Sequence, residues 1–182
     1  MKELLAIMLG GVLVNNYAME KFLGVCPVLG GRRNSSAAMG FSVALVMLLT
    51  AAITWPLEQF VLLPLGAQYL ETLMFVLVVL IVVYVLGAIF AKSGKALGGY
   101  FPLIALNGAV LGLAVNNIAD GYTFVEAIFA AIGAGLGFVL AMLLFDGVKS
   151  KINERYVPKA FHGLPVMLLA ASIISLAFYA FK

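Results

Sequence analysis

Leu13-Val14-Asn15-Asn16-Tyr17-Ala18-Met19-Glu20-Lys21-Phe22-Leu23-Gly24-Val25-Cys26-Pro27-Val28-Leu29 is an apolar stretch interrupted by two amides, an adjacent acid and base, and a proline. A water-soluble helix would set such polar residues on one face. Here they stand inside a run that is apolar all round, which is the pattern of a broken membrane-spanning segment. The rest of the chain agrees. Of its 182 residues 64% are hydrophobic and 10% charged, with a mean hydropathy of +1.14, against about 45–50% and about 25% for soluble domains. A domain of this length exposes too much surface to hide that excess in water. A soluble enzyme and a disordered tail are excluded, and a single cysteine excludes a disulfide scaffold.

At about 20 residues per helical span, six spans take roughly 120 residues and leave only short connections. The expected fold is therefore an all-α integral membrane protein forming one domain over 1–182. Span one covers about Glu3–Leu29, span two Ser36–Thr54, span three Leu70–Ala91, span four Gly98–Ala119, span five Val125–Val148 and span six Leu164–Phe181. Span four is interrupted like span one, by Pro102, Asn107, Gly108 and Gly112. Trp55 and Tyr69 on one side, and Tyr100 and Tyr156 on the other, fall where interfacial aromatic belts are expected. No small-residue cleavage site follows the first apolar stretch, so a cleaved signal peptide is not expected.

Eight of the 11 Lys and Arg residues occupy three connections: Arg32 and Arg33; Lys92 and Lys95; Lys149, Lys151, Arg155 and Lys159. The alternate connections, Trp55–Gln68 and Asp120–Thr123, have none. This alternation is the positive-inside pattern. With six spans it sets the basic connections in the cytoplasm and both termini outside, and it accounts for the net charge of +3 without nucleic acid.

The chain also resembles itself. Cys26-Pro27-Val28-Leu29-Gly30 matches Gly108-Ala109-Val110-Leu111-Gly112, and Gly40-Phe41 with Met47-Leu48-Leu49 matches Gly137-Phe138 with Met142-Leu143-Leu144. Two repeats, about 1–92 and 93–182, hold three spans each, so they must cross the membrane in opposite senses. Inverted repeats with discontinuous helices place their sites near mid-membrane, where the breaks meet.

Asn15 and Asn16 suit two tasks, bonding backbone freed at a break and joining helices. Glu20 and Lys21, together with Asp120, are candidates for an ion path; the alternative for Glu20 and Lys21 is the cytoplasmic edge, with Lys21 snorkelling. Cys26 is the one soft metal ligand, and a lone cysteine is more often a small hydrophobe. A single cysteine cannot hold an iron–sulfur cluster, which normally takes four thiolates, so a partner chain would be required. Gly133-x-x-x-Gly137 is a helix-packing face, and Gly133, Gly135 and Gly137 make no nucleotide loop. His162 is expected to be interfacial. Glu58, Glu71, Asp120 and Glu126 gather toward the outer side, as an acidic vestibule or as ordinary helix-end carboxylates.

Leu13-Val14-Asn15-Asn16 and Phe22-Leu23-Gly24-Val25-Cys26-Pro27 resemble the first span of the A-type membrane subunit of the Rnf electron-transport complex, related to the E-type subunit of the sodium-translocating NADH:quinone reductase (Nqr). The likeness extends through Tyr69–Leu73, Phe101–Ile104, Asn107, Ala109–Gly112, Pro158, Phe161, Gly163 and Ser175–Phe178, essentially the whole chain. It implies a translocase subunit, not catalytic alone, in a complex passing electrons between ferredoxin and NAD⁺ and moving Na⁺ or H⁺. It further implies a [2Fe–2S] cluster shared with the paralogous E-type subunit of Rnf, with two cysteines from each chain. Cys26 matches the first cysteine. The second matching position is Gly108, which cannot ligate iron. The resemblance leaves three outcomes there: a substituted residue, a fourth ligand other than cysteine such as Asn107 or water, or no cluster. Asn15, Asn16 and Asn107 would shape the broken helices. Reduction of a buried centre adds negative charge at low dielectric and would draw a compensating cation. The rival expectations are a stand-alone inverted-repeat solute or ion carrier without redox chemistry, and a structural scaffold.

Overall fold

A computed structural model describes residues 2–25, 36–66, 68–92, 107–152 and 157–179. Cys26, Pro27, Tyr100, Pro102 and Tyr156, and with them the expectations placed there, lie outside the described residues. The described chain is helical, with no strand. In chain order the helices are α1 (Lys2–Leu13), α2 (Ser36–Leu57), α3 (Glu71–Lys92), α4 (Gly108–Ala119), α5 (Phe124–Lys151) and α6 (Leu164–Tyr179). Short 3₁₀ turns at Gln68–Leu70 and Lys159–Phe161 lead into α3 and α6.

Three helical stretches, Ala38–Leu65, Glu71–Ile89 and Phe124–Lys151, are long and apolar enough to cross a membrane. The apolar helices α4 and α6 are shorter, at 12 and 16 residues. At 1.5 Å per residue, α1 and α4 each rise about 18 Å, little more than half of a hydrocarbon layer of about 30 Å. The segments read as interrupted thus contribute half-length helices.

The axis of the bundle is α5, which packs against α2 and α1, while α2 also packs against α3 and α4. Small residues let the neighbours come close. A Cβ on Gly137 would stand 2.8 Å from the Gly11 carbonyl oxygen and 2.9 Å from the Asn16 amide nitrogen, and one on Gly133 would strike the Met8 carbonyl. The backbones of α1 and α5 therefore touch, which is what the Gly133-x-x-x-Gly137 spacing provides. Phe138, Met142 and Phe145 of α5 join Met39, Val43 and Met47 of α2 in the core.

One boundary differs from the sequence reading. The stretch from Trp55, expected as a connection, continues α2 through a π-helical turn at Glu58–Leu62 and a last turn at Leu63–Leu65, closed by Gly66 at φ 64°. Pro56 stands inside the helix without ending it. Its ring removes a donor and crowds the preceding turn, and the wider turn that follows takes up the mismatch.

Candidate functional site

The helix α1 stops at Leu13, and two amides follow. Asn16 is 1% exposed and uses its whole side chain. Its Nδ2 donates to the Val12 carbonyl at 3.0 Å and to the Gly137 carbonyl at 2.9 Å; its Oδ1 accepts from Ala18 N at 3.0 Å and Met19 N at 3.3 Å. Val12 belongs to the last turn of α1, whose carbonyls have no partner within the helix. One side chain thus covers a helix end, begins the next turn and reaches the middle of α5. Gly137 is the fourteenth of the 28 residues of α5, about 20 Å from either end at helical rise.

The chain then winds through turns to Val25. Gly24, at φ +79°, leaves no room for a Cβ, which would collide with Asn107 Oδ1 and stand 3.0 Å from Phe138. Asn107 is the N-cap of α4 and its Oδ1 accepts from Ala109 N at 3.0 Å, the usual service of Asn at that position. The interruption of the first segment therefore rests on the start of α4. Sequence reasoning points to Asn16 and Asn107 but misses Gly24, whose only signal is a lone glycine among large residues.

On one side of this joint is a polar cavity of about 270 Å³ bounded by Asn15, Tyr17, Lys21, Asn116, Asn117 and Asp120. Asn116 Nδ2 donates to the Tyr17 hydroxyl at 3.1 Å, and the Lys21 ammonium stands 5.0 Å from the centre of the Tyr17 ring. Glu20 lines a different cavity of about 190 Å³ with Met19, Phe22, Ser172 and Ser175, where the Ser175 hydroxyl donates to the Met19 carbonyl. Of the three residues expected on an ion path, Lys21 and Asp120 share a cavity and Glu20 faces another. Lys21 lies at the Asp120 end of the bundle.

The other acidic residues also part company. Glu126 reaches back to Thr123, accepting from its backbone N at 2.9 Å and its hydroxyl at 2.8 Å, so it caps α5. In the same connection the Tyr122 carbonyl accepts from Trp55 Nε1 at 2.7 Å. Burial, reinforced by Asp120, pushes the Tyr122 phenol above its ordinary range. Glu58 is buried at 2% exposure. His162 is exposed, its Nε2 2.8 Å from the Val157 carbonyl.

Gly108 is the first residue of α4, and among the described residues a Cβ there would meet only Leu23, at an ordinary 3.4 Å. The site has room for a cysteine but holds none, and Asn107 beside it is engaged as a cap. Among the described residues no three His, Cys, Asp or Glu side chains gather as a metal site. The donors present do not fit a cluster that takes two thiolates from each of two chains.

A family described as Rnf-Nqr subunit, membrane protein, matches residues 4–182. The A-type subunit of the ion-translocating oxidoreductase complex of Syntrophotalea carbinolica is 43% identical over all of this chain and 97% of its own. Its counterpart in the Na⁺-translocating ferredoxin:NAD⁺ oxidoreductase complex of Acetobacterium woodii is 42% identical, covering 98% of this chain and 96% of its own. The corresponding subunit from Vibrio cholerae is 37% identical over all of this chain and 97% of its own. Homologues of this chain are thus subunits of ion-translocating oxidoreductase complexes, and the chain belongs to the Rnf-Nqr family of membrane subunits.

Proposed function

We propose that this chain is a membrane subunit of a redox-driven cation pump working between ferredoxin and NAD⁺, in which it forms one half of a transmembrane core with a paralogous E-type subunit. The observation that carries this is the joint at mid-length of α5, where the chain leaving the half-length helix α1 is held to α5 through Asn16–Gly137 and packs on the start of the half-length helix α4 through Gly24–Asn107. Discontinuous helices in paired repeats are the usual architecture for moving ions by alternating access. In this reading the two repeats are inverted, both termini lie outside a prokaryotic inner membrane, and Asn15, Asn16 and Asn107 shape the breaks. Lys21 and Asp120 border a water-sized route for Na⁺ or H⁺. Toward a [2Fe–2S] cluster shared with the paralogue, this chain brings the Cys26 thiolate alone, so a fourth ligand would come from elsewhere.

The test is reconstitution of the complex with and without this chain. With it, ferredoxin oxidation by NAD⁺ should drive Na⁺ or H⁺ into proteoliposomes; without it, both electron flow and uptake should be lost. Cation or solute uptake by the purified chain alone, independent of any redox reaction, would establish the stand-alone carrier instead.

A further inference from the structure

The buried face of α2 carries a polar stripe that the joint does not use. Thr50, Thr54 and Glu58 follow one another at four-residue spacing and are 1%, 2% and 2% exposed. Residues four apart lie one above another on a helix, so the three form a single line inside the bundle. Two of its atoms, Thr50 Oγ1 and Glu58 Oε2, have no hydrogen-bond partner. Thr54 Oγ1 donates its proton to the Thr50 carbonyl at 2.9 Å, which leaves its lone pairs turned to whatever sits beside it.

Among the described residues no Lys or Arg is paired with Glu58. No Lys or Arg occurs between Arg33 and Lys92 or between Lys95 and Lys149. The helices packed on α2 are α3, α4 and α5, and none brings a cation except at the basic ends marked by Lys92, Lys149 and Lys151. The charged group that acts on Glu58 is another carboxylate, Glu71 at the start of α3. A buried carboxylate in a membrane-spanning helix, with an acid for its neighbour, requires neutralisation by a proton or a bound cation.

We propose that Glu58 and Thr54 form a site for a monovalent cation, H⁺ or Na⁺, near the Leu65 end of α2. Oxygen ligands alone suit both: a carboxyl takes up a proton outright, and the carboxylate with a hydroxyl suits a hard cation. The site's part in transport rests on the proposed function above; its occupancy does not.

The experiment treats membranes containing the assembled complex with dicyclohexylcarbodiimide, which modifies protonated carboxyls in apolar surroundings, and locates the label by peptide mass spectrometry. Label is expected on Glu58 and absent from Glu58→Gln. Loss of labelling when Na⁺ replaces K⁺ at constant pH identifies Na⁺ as the occupant, and Thr54→Val should then need more Na⁺ for the same protection. Labelling that follows pH and ignores Na⁺ identifies H⁺. Redox-driven cation uptake should fall in step with Glu58 modification. The proposal is overturned if Glu58 is never labelled, or if uptake persists with Glu58 fully modified. If the untreated complex shows no redox-driven uptake, the proposed function fails, and the cation site is judged by the Na⁺ and pH dependence of labelling alone.

Discussion

The side-chain amide of Asn16 donates at 2.9 Å to the carbonyl oxygen of Gly137, 121 positions along the chain. That bond is the long-range member of a set of four in which no polar atom of Asn16 is idle, so its removal strands several buried groups together. Replacing Asn16 with Ala should cost about 2–4 kcal/mol, at about 1–3 kcal/mol for each stranded group and less where the unfolded chain finds partners within lipid. The thermal midpoint of the purified protein in detergent measures it. Asn16→Asp keeps both accepted bonds and loses both donated ones, and should fall below wild type as well.

The contact between α1 and α5 makes opposite forecasts for two glycines of one helix. Gly137→Ala drives a methyl group into the Gly11 carbonyl and the Asn16 amide. Overpacking of this kind costs typically about 1–3 kcal/mol. A Cβ at Gly147 meets nothing within 4 Å, so Gly147→Ala should stabilise by about 0.5–1 kcal/mol through helix propensity alone. Equal effects in a melting experiment would refute the backbone contact.

Gly24 and Gly121 share a left-handed backbone, at φ +79° and +66°, but differ in their surroundings. Gly121→Ala meets open space and should lose about 1–2 kcal/mol, the strain of that conformation. Gly24→Ala adds a collision with Asn107 and should lose clearly more. Limited proteolysis of the 14–25 segment is the second readout, with Gly24→Ala cut faster than Gly121→Ala at any site within it.

Because, among the described residues, a Cβ at Gly108 touches only Leu23 at 3.4 Å, Gly108→Cys should leave folding intact. Iron analysis and electron paramagnetic resonance of the complex with each residue form the test. Glycine at this position should give no signal of a cluster held by four cysteines, and the cysteine variant should acquire one. An all-cysteine signal with glycine in place would mean that another chain supplies the thiolate that the Gly108 position lacks, since this chain has a single cysteine.

Much of the architecture is legible in the sequence because membrane helices announce themselves by long apolar runs. A break after α1 is legible in Asn16, since a buried amide there needs freed backbone to bond, whereas Asn15 beside it is exposed. What escapes depends on partners distant in sequence. Asn16 reads as a break and Gly137 as a packing face, but nothing local joins them. Glu20 and Lys21 are consecutive, yet turns without helical periodicity send them into separate cavities. Pro56 reads locally as a terminator, and only the tertiary packing that seats Glu58 and Leu62 inside the bundle keeps α2 going to Leu65. Glu58 groups by sequence with helix-end acids, because composition reports a residue's neighbours along the chain and not the depth at which it sits.

The separation between Asn16 and Gly137 also imposes a timetable on biosynthesis. At roughly 5–20 residues per second, the ribosome needs on the order of 6–24 s to travel from one to the other. Throughout that interval α1 has emerged, yet the glycine-lined seat it docks against does not exist. Its last carbonyls and the amides that follow must be sheltered meanwhile by the insertion machinery or by water at the bilayer surface, so the first helix to be made cannot be locked in until the fifth is half synthesised.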